Sequence, residues 1–296
     1  MSPSGILAIV SNIEEWWSSG GRVPIRLAGI ERAIFVRRMG SGPTMTMLHG
    51  YPSSSHDWAR VASPLAQVHS LLLPDFLGFG GSEKPADHVY SLNEQADLIE
   101  GLWALEQITS TVIVACDYGL SVAQELLARR AEGTLSVDVA AVHLLNGGLY
   151  PDLARPSRGQ LAMLDPERGP QISAGITEER FVTALRPTFA ADFDAAENSA
   201  DIWRATSRDH GQAISHRLTR YIADRALHGE RWVTALEQTD VPLAFVWGML
   251  DPVSGAHMAQ RIRERLPTAP FLELADVGHW PPLEAPERVA AALLGS

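Results

Sequence analysis

Asp117, His279 and Asp251 are the residues of this 296-residue chain whose types and surroundings could make and break covalent bonds. Asp117 stands in Val112-Ile113-Val114-Ala115-Cys116-Asp117-Tyr118-Gly119-Leu120, an apolar run that turns into a helical pattern. A nucleophile at the apex of so sharp a strand-to-helix turn needs small residues two before and two after it. Ala115 and Gly119 meet that need. In the register of the rival Cys116 those places would hold bulky Val114 and Tyr118, and Ser121 falls inside the helix. An aspartate at a strand–helix junction is, taken alone, more often an N-cap than a catalyst. Its companions carry the argument.

A carboxylate nucleophile leaves an ester that an activated water must hydrolyse, and this requires a base. His279, in Asp276-Val277-Gly278-His279-Trp280-Pro281-Pro282, follows the last strand-like run and suits that role. Asp251, after Trp247-Gly248-Met249-Leu250, can hold the imidazole in one tautomer and stabilise its protonated form. Asp276 is nearer in sequence, but such neighbours seldom face one another across a site. Asn146, at the alternative acid position, carries no charge. His49-Gly50-Tyr51-Pro52 ends an early strand. The backbone amides of Tyr51 and Tyr118 are the expected oxyanion donors, with the His49 side chain structural.

These residues need a scaffold that gathers strand ends. Residues 25–30 and 33–38 read as antiparallel strands around a turn at Glu31. Strand-like runs at 45–48, 70–73, 112–115, 139–145, 243–247 and 271–274 alternate with helical patterns at 91–105, 120–130, 256–266 and 286–294. Ser91 with Glu94 has the spacing of a capping box. Such alternation predicts an α/β fold: a mostly parallel central sheet flanked by helices, with its chemistry at the carboxyl ends of the strands. The segment 148–239 lacks strand patterns and is expected to form an inserted helical cap. Residues 1–147 and 240–296 then form the core.

The formal net charge of −11 argues against nucleic acid as a partner. No apolar run is long enough for an integral membrane segment. One cysteine permits no intrachain disulfide, and the start carries no basic leader, so a cytoplasmic location is expected. Residues 6–17, with Trp16 and Trp17, could form an amphipathic helix. Its polar face bears Glu14 and Glu15, which favours packing on the enzyme or a neighbouring subunit, a homodimer included, over an anionic membrane. No metal-ligand cluster is visible among the histidines, and neither metal nor organic cofactor is expected.

The motifs His49-Gly50-Tyr51-Pro52, Asp75-Phe76-Leu77-Gly78-Phe79-Gly80-Gly81-Ser82, Asp117-Tyr118-Gly119, Gly248-Met249-Leu250-Asp251 and Gly278-His279 resemble the α/β-hydrolase family. The aspartate at the elbow is similar to that of epoxide hydrolases and haloalkane dehalogenases. Val122-Ala123-Gln124-Glu125-Leu126-Leu127, Asn146-Gly147-Gly148, Arg231-Trp232-Val233 and Asp251-Pro252-Val253 resemble the mesoderm-specific transcript proteins more narrowly. Cys116 stands where these relatives usually have histidine. Tyr118 and Tyr51 stand where dehalogenases carry a halide-holding tryptophan and often an asparagine. Leu120, Ser121 and Val122 replace the arginines of fluoroacetate dehalogenases. The resemblance therefore implies an epoxide hydrolase first and a haloalkane dehalogenase second, with a catalytically idle scaffold of the same fold as the third option. Epoxide hydrolases protonate the leaving oxygen with cap tyrosines, and Tyr221, with Tyr150 at the cap entrance, are the candidates here. The apolar composition of the expected cap points to a hydrophobic substrate, an epoxide of small to medium size.

Overall fold

In the computed structural model, which describes residues 12–295, strand patterns become one eight-stranded sheet in the order β1-β2-β4-β3-β5-β6-β7-β8. The strands are β1 (Gly21–Leu27), β2 (Ile30–Gly40), β3 (Thr44–Leu48), β4 (Ser70–Pro74), β5 (Ser110–Cys116), β6 (Asp138–Leu145), β7 (Leu243–Gly248) and β8 (Phe271–Leu274). β2 pairs antiparallel with both β1 and β4, and all later pairings are parallel. The β1–β2 turn lies at Ala28-Gly29, not at Glu31, which pairs with Arg26 inside the ladder. Both turn residues have positive φ, 46° and 83°. A two-residue hairpin with the twist of its strands demands that geometry.

Helices α1 (Ile13–Ser18), α2 (Ala59–Leu65), α3 (Leu92–Leu105), α4 (Tyr118–Ala131), α11 (Ala256–Arg265), α12 (Pro281–Glu284) and α13 (Pro286–Leu294) flank this sheet. Successive side chains of a strand point to opposite faces. In β5, Ile113 and Ala115 join the core under α3 and α4, whereas Val114 and Cys116 join the core under α2 and α13. Burial on both faces explains why the strand reads as a continuous apolar run.

Between β6 and β7 the described chain contains helices and short 3-10 turns without a strand: α5 (Arg158–Met163), α6 (Arg168–Ala174), α7 (Glu178–Leu185), α8 (Ala196–Ser207), α9 (Ser215–Leu218) and α10 (Tyr221–Gln238). Trp232 of α10 and Arg129 of α4 both donate to the buried carboxylate of Glu125, at 2.7 and 2.8 Å. Farther along, Phe189 stacks on Trp280 with centroids 5.7 Å apart, and the Thr188 carbonyl accepts from the amide of His279 at 2.8 Å. The inserted helices are thus anchored both beside the elbow helix and on the histidine loop.

The described part of the N-terminal segment packs onto the chain's own fold. Trp16 is fully buried and donates through Nε1 to Ser55 Oγ at 3.1 Å. The guanidinium of Arg208 lies 4.1 Å from the ring centroid of Trp17. Residues 6–11 of the expected amphipathic helix lie outside the described residues. No helix among the described residues is long and apolar enough to cross a membrane.

Candidate active site

The turn from β5 into α4 holds Asp117 at φ 45°, ψ −104°. Positive φ is costly for a residue with a side chain and persists only where its surroundings enforce it. Here close packing does so. A Cβ on Gly119 would lie 2.7 Å from the Leu48 carbonyl, and one on Gly147 would lie 2.8 Å from the Asp117 Cα. Asp117 is the N-cap residue of α4, yet its side chain makes no capping hydrogen bond. It is turned toward the other strand ends instead, so the helix-cap role is not the one its carboxylate performs.

Asp117 Oδ1 accepts from the amide of Tyr51 at 2.8 Å, and Oδ2 lies 3.5 Å from His279 Nε2. On its far side, His279 Nδ1 meets Asp251 Oδ2 at 2.8 Å. The same Asp251 oxygen accepts from Ser254 Oγ at 2.6 Å and Asn146 Nδ2 at 2.9 Å. Asn146 also exchanges hydrogen bonds with the backbone of Gly248, which locks the end of β6 to the end of β7. Residues from three separate strand ends therefore form one line: carboxylate, imidazole, carboxylate. The amide of Tyr118 opens α4 and so has no partner within that helix.

The electrostatics follow from this line. Burial works against a charged His279, but Asp251 and Asp117 outweigh it and hold the imidazolium well above its usual range. Burial likewise opposes the Asp117 anion. His279, the Arg225 guanidinium and the Tyr51 amide overcome it, and the carboxyl stays below its usual range. Asp251 is held down against burial by the same imidazole and by Ser254 and Asn146. Cys116 is different. Its side chain belongs to the core under α2 and α13, and burial pushes the thiol well up, away from the reactive thiolate.

Aromatic rings line one side of Asp117. Tyr221 lies against Tyr51 and Tyr118, with centroids 5.4 and 5.5 Å apart, and Phe79 packs on Tyr118 at 5.2 Å. Tyr221 thus joins the group around the elbow. Tyr150 does not: its ring lies 5.5 Å from the Arg261 guanidinium, at a recess bordered by Pro151, Gly229 and Glu237. His49 is structural, as its sequence context suggests. Its Nδ1 meets the Gly50 carbonyl, and its Nε2 accepts from the amide of Phe76 at 3.0 Å.

Sequence reasoning missed Arg225. This buried side chain donates through Nε to Ser121 Oγ at 2.8 Å and through an Nη to the Asp117 carbonyl at 3.1 Å. Its guanidinium also lies 4.6 Å from the Tyr221 ring centroid. An arginine on a polar helical stretch carries no local sign of such contacts.

Asp57 was missed as well. It is buried near the elbow, accepts from Ser53 Oγ, and burial pushes its carboxyl up to about 8. A carboxyl raised in the folded state binds its proton more tightly there than when unfolded. Its stabilising share is complete below about 4, its unfolded value, and is lost as pH rises through about 8. Asp57→Asn should therefore gain on wild type across that window, by on the order of a few kcal/mol at alkaline pH. Urea midpoints measured from acid to alkaline pH check this, and parallel curves for the two proteins would contradict it.

The eight-stranded, mostly parallel sheet has the architecture of the α/β hydrolases, and residues 43–286 match the family model described as alpha/beta hydrolase fold. The chain belongs to that family. It is 37% identical over 287 residues to LipZ of Mycobacterium tuberculosis, covering 96% of this chain and 97% of that protein. It is 32% identical over 294 residues to the mesoderm-specific transcript homolog protein of Homo sapiens, covering 96% and 87%. Among solved structures, haloalkane dehalogenase DbeA from Bradyrhizobium elkani superposes with a TM-score of 0.77 at 21% identity, covering 93% of this chain and 97% of that one. The last likeness is one of fold.

Proposed function

We propose that the protein hydrolyses small to medium hydrophobic epoxides through a covalent ester on Asp117. The observation that carries this reading is the line itself: Asp117 within 3.5 Å of an imidazole that a second buried carboxylate orients from behind. A carboxylate oxygen of Asp117 attacks a ring carbon, and that carbon's bond to oxygen breaks. Tyr221 gives its proton to the departing oxygen. General acid help of this kind is typically worth ~10²–10⁴-fold.

Ester formation also prepares the second step. It removes the charge of Asp117, one of the two carboxylates that hold the proton on His279. The imidazolium then gives up that proton, which can return to the tyrosinate. Neutral His279 next takes a proton from water as the oxygen attacks the ester carbonyl. The amides of Tyr51 and Tyr118 receive the developing oxyanion. Collapse breaks the acyl–oxygen bond, His279 returns the proton to the departing diol, and the second water proton, left on the Asp117 carboxyl, passes to His279 and restores the resting site. Residues 148–239 act in this reading as a cap that keeps bulk water from the ester, over a core of 1–147 and 240–296.

Halide departure is the second chemistry an aspartate ester permits; it needs hydrogen-bond donors but no proton transfer. Tyr51 and Tyr118 lack the side-chain N–H groups that dehalogenases carry at those places, whereas Tyr221 has the hydroxyl proton that an alkoxide requires.

One turnover in ¹⁸O-water tests the mechanism, with excess enzyme and a terminal alkyl epoxide. Water attacks the ester carbonyl, so the heavy oxygen should remain in the peptide bearing Asp117 and be absent from the first equivalent of diol. Label in that first diol would mean that water attacks the epoxide directly, and the ester pathway would be abandoned.

A further inference from the structure

Tyr51 and Tyr221 pack against each other on the aromatic side of Asp117, and their hydroxyl protons are not equally free. The Tyr51 hydroxyl lies 3.0 Å from Thr219 Oγ1. That threonine donates its own proton to the Ser215 carbonyl at 2.7 Å, so it can only accept from Tyr51. The Tyr51 proton is spent.

Tyr221 is arranged the other way round. Its hydroxyl oxygen lies 2.9 Å from Gln160 Nε2. The orientation of that amide follows from its other end. Gln160 Oε1 accepts from the backbone N–H of Ser157 at 2.8 Å, and Ser157 Oγ accepts from the Gln160 amide at 3.2 Å. The pair is the capping box of α5. A backbone N–H can only donate, so the oxygen of Gln160 must face it and the NH₂ must face Tyr221. Gln160 therefore occupies a lone pair of the tyrosine oxygen and leaves its proton unspent. The same N–H would hydrogen-bond the tyrosinate left after proton transfer, a contact that strengthens as charge develops. Arg225, whose guanidinium lies 4.6 Å from the ring centroid, adds a cation beside the ring.

We infer that Gln160 is a positioning residue for the proton donor: through its capping-box amide it directs the Tyr221 proton toward the group leaving at Asp117. This rests on the reading of Asp117 as nucleophile and Tyr221 as acid.

Two variants separate this role from simple support of α5. Gln160→Glu keeps the capping box, since glutamate also serves at that position. It replaces the donor with a carboxylate that would itself take the Tyr221 proton. Gln160→Leu loses the box as well as the donor, but leaves the proton unclaimed. The measurement is the rate at which the alkyl ester forms with a terminal epoxide in a His279→Gln background, read by intact mass, alongside the thermal midpoint of each variant. Gln160→Glu should slow ester formation by ~10-fold or more, part of the ~10²–10⁴-fold that general acid help is worth, while its midpoint stays close to the parent's. Gln160→Leu should be the less damaged in rate and the more damaged in midpoint. Equal rates for Gln160→Glu and its parent, or a larger rate loss in Gln160→Leu, would overturn the inference. Absence of any ester in the parent would instead overturn the nucleophile reading on which it stands.

Discussion

Asp117→Ala is expected to abolish epoxide turnover, with a loss on the order of the 10⁶-fold seen when a hydrolase loses its covalent nucleophile. In the proposed mechanism the residue supplies the bond that both chemical steps share, and no neighbour can replace it. The Cys116 side chain is packed into the opposite core and kept as a thiol by burial. Asp251 is held behind the imidazole by Ser254 and Asn146. The fold should survive the change. Asp117 does not cap α4 through its side chain, and the turn is enforced by Gly119 and Gly147 against the backbone around them. Alanine inherits the same φ of 45° and the same strain. Diol formation, followed with the thermal midpoint as a control, gives the answer. A folded variant retaining a hundredth of wild-type activity would show that water, not the carboxylate, opens the ring.

His279→Gln should fail at a different point. Attack by a carboxylate needs no base, so the first step continues and the second stalls. Turnover is expected to fall by ~10²–10⁴-fold, the usual worth of a general base. Enzyme should accumulate one covalent equivalent of substrate, mapped by peptide mass spectrometry to Asp117. Glutamine is close in size to histidine and can still donate to Asp251, so the loop around Val277 and Trp280 keeps its packing. An adduct on Cys116, or none on the elbow peptide, would end the ester mechanism while leaving the fold assignment untouched.

The pairing of these two variants is informative because the charges are linked. In the resting site two carboxylates share one imidazolium. Removing the Asp117 charge, by esterification or by mutation, weakens the hold on that proton. The catalytic cycle in this reading uses that dependence to turn an acid form of His279 into a base at the moment a base is required.

Much of this was legible in the chain alone, and the reason is locality. The elbow's local steric demand falls on five consecutive residues, and Ala115, Asp117 and Gly119 meet it, although Gly147 and the Leu48 backbone that enforce the turn lie elsewhere in the chain. The strands of the parallel sheet announce themselves because burial on both faces requires continuous apolar runs such as 112–116. The capping box at α3 was half legible. Ser91 Oγ does accept from the Glu94 amide, but the Glu94 side chain turns to His88 at 2.6 Å instead of returning to the cap. A loop residue outside the helix decided that competition.

What escaped the sequence is of another kind. Arg225 reaches the Asp117 carbonyl across 108 positions, and Gln160 reaches Tyr221 across 61. Tyr51 and Tyr221 are the same residue type with opposite hydrogen-bond roles, set by a threonine in one case and a glutamine in the other. Residue type and spacing determine which backbone turns and runs can form, because those costs are paid within a few bonds. The direction of a single proton depends on which donor or acceptor folding carries to within 3 Å, and only the tertiary arrangement decides that.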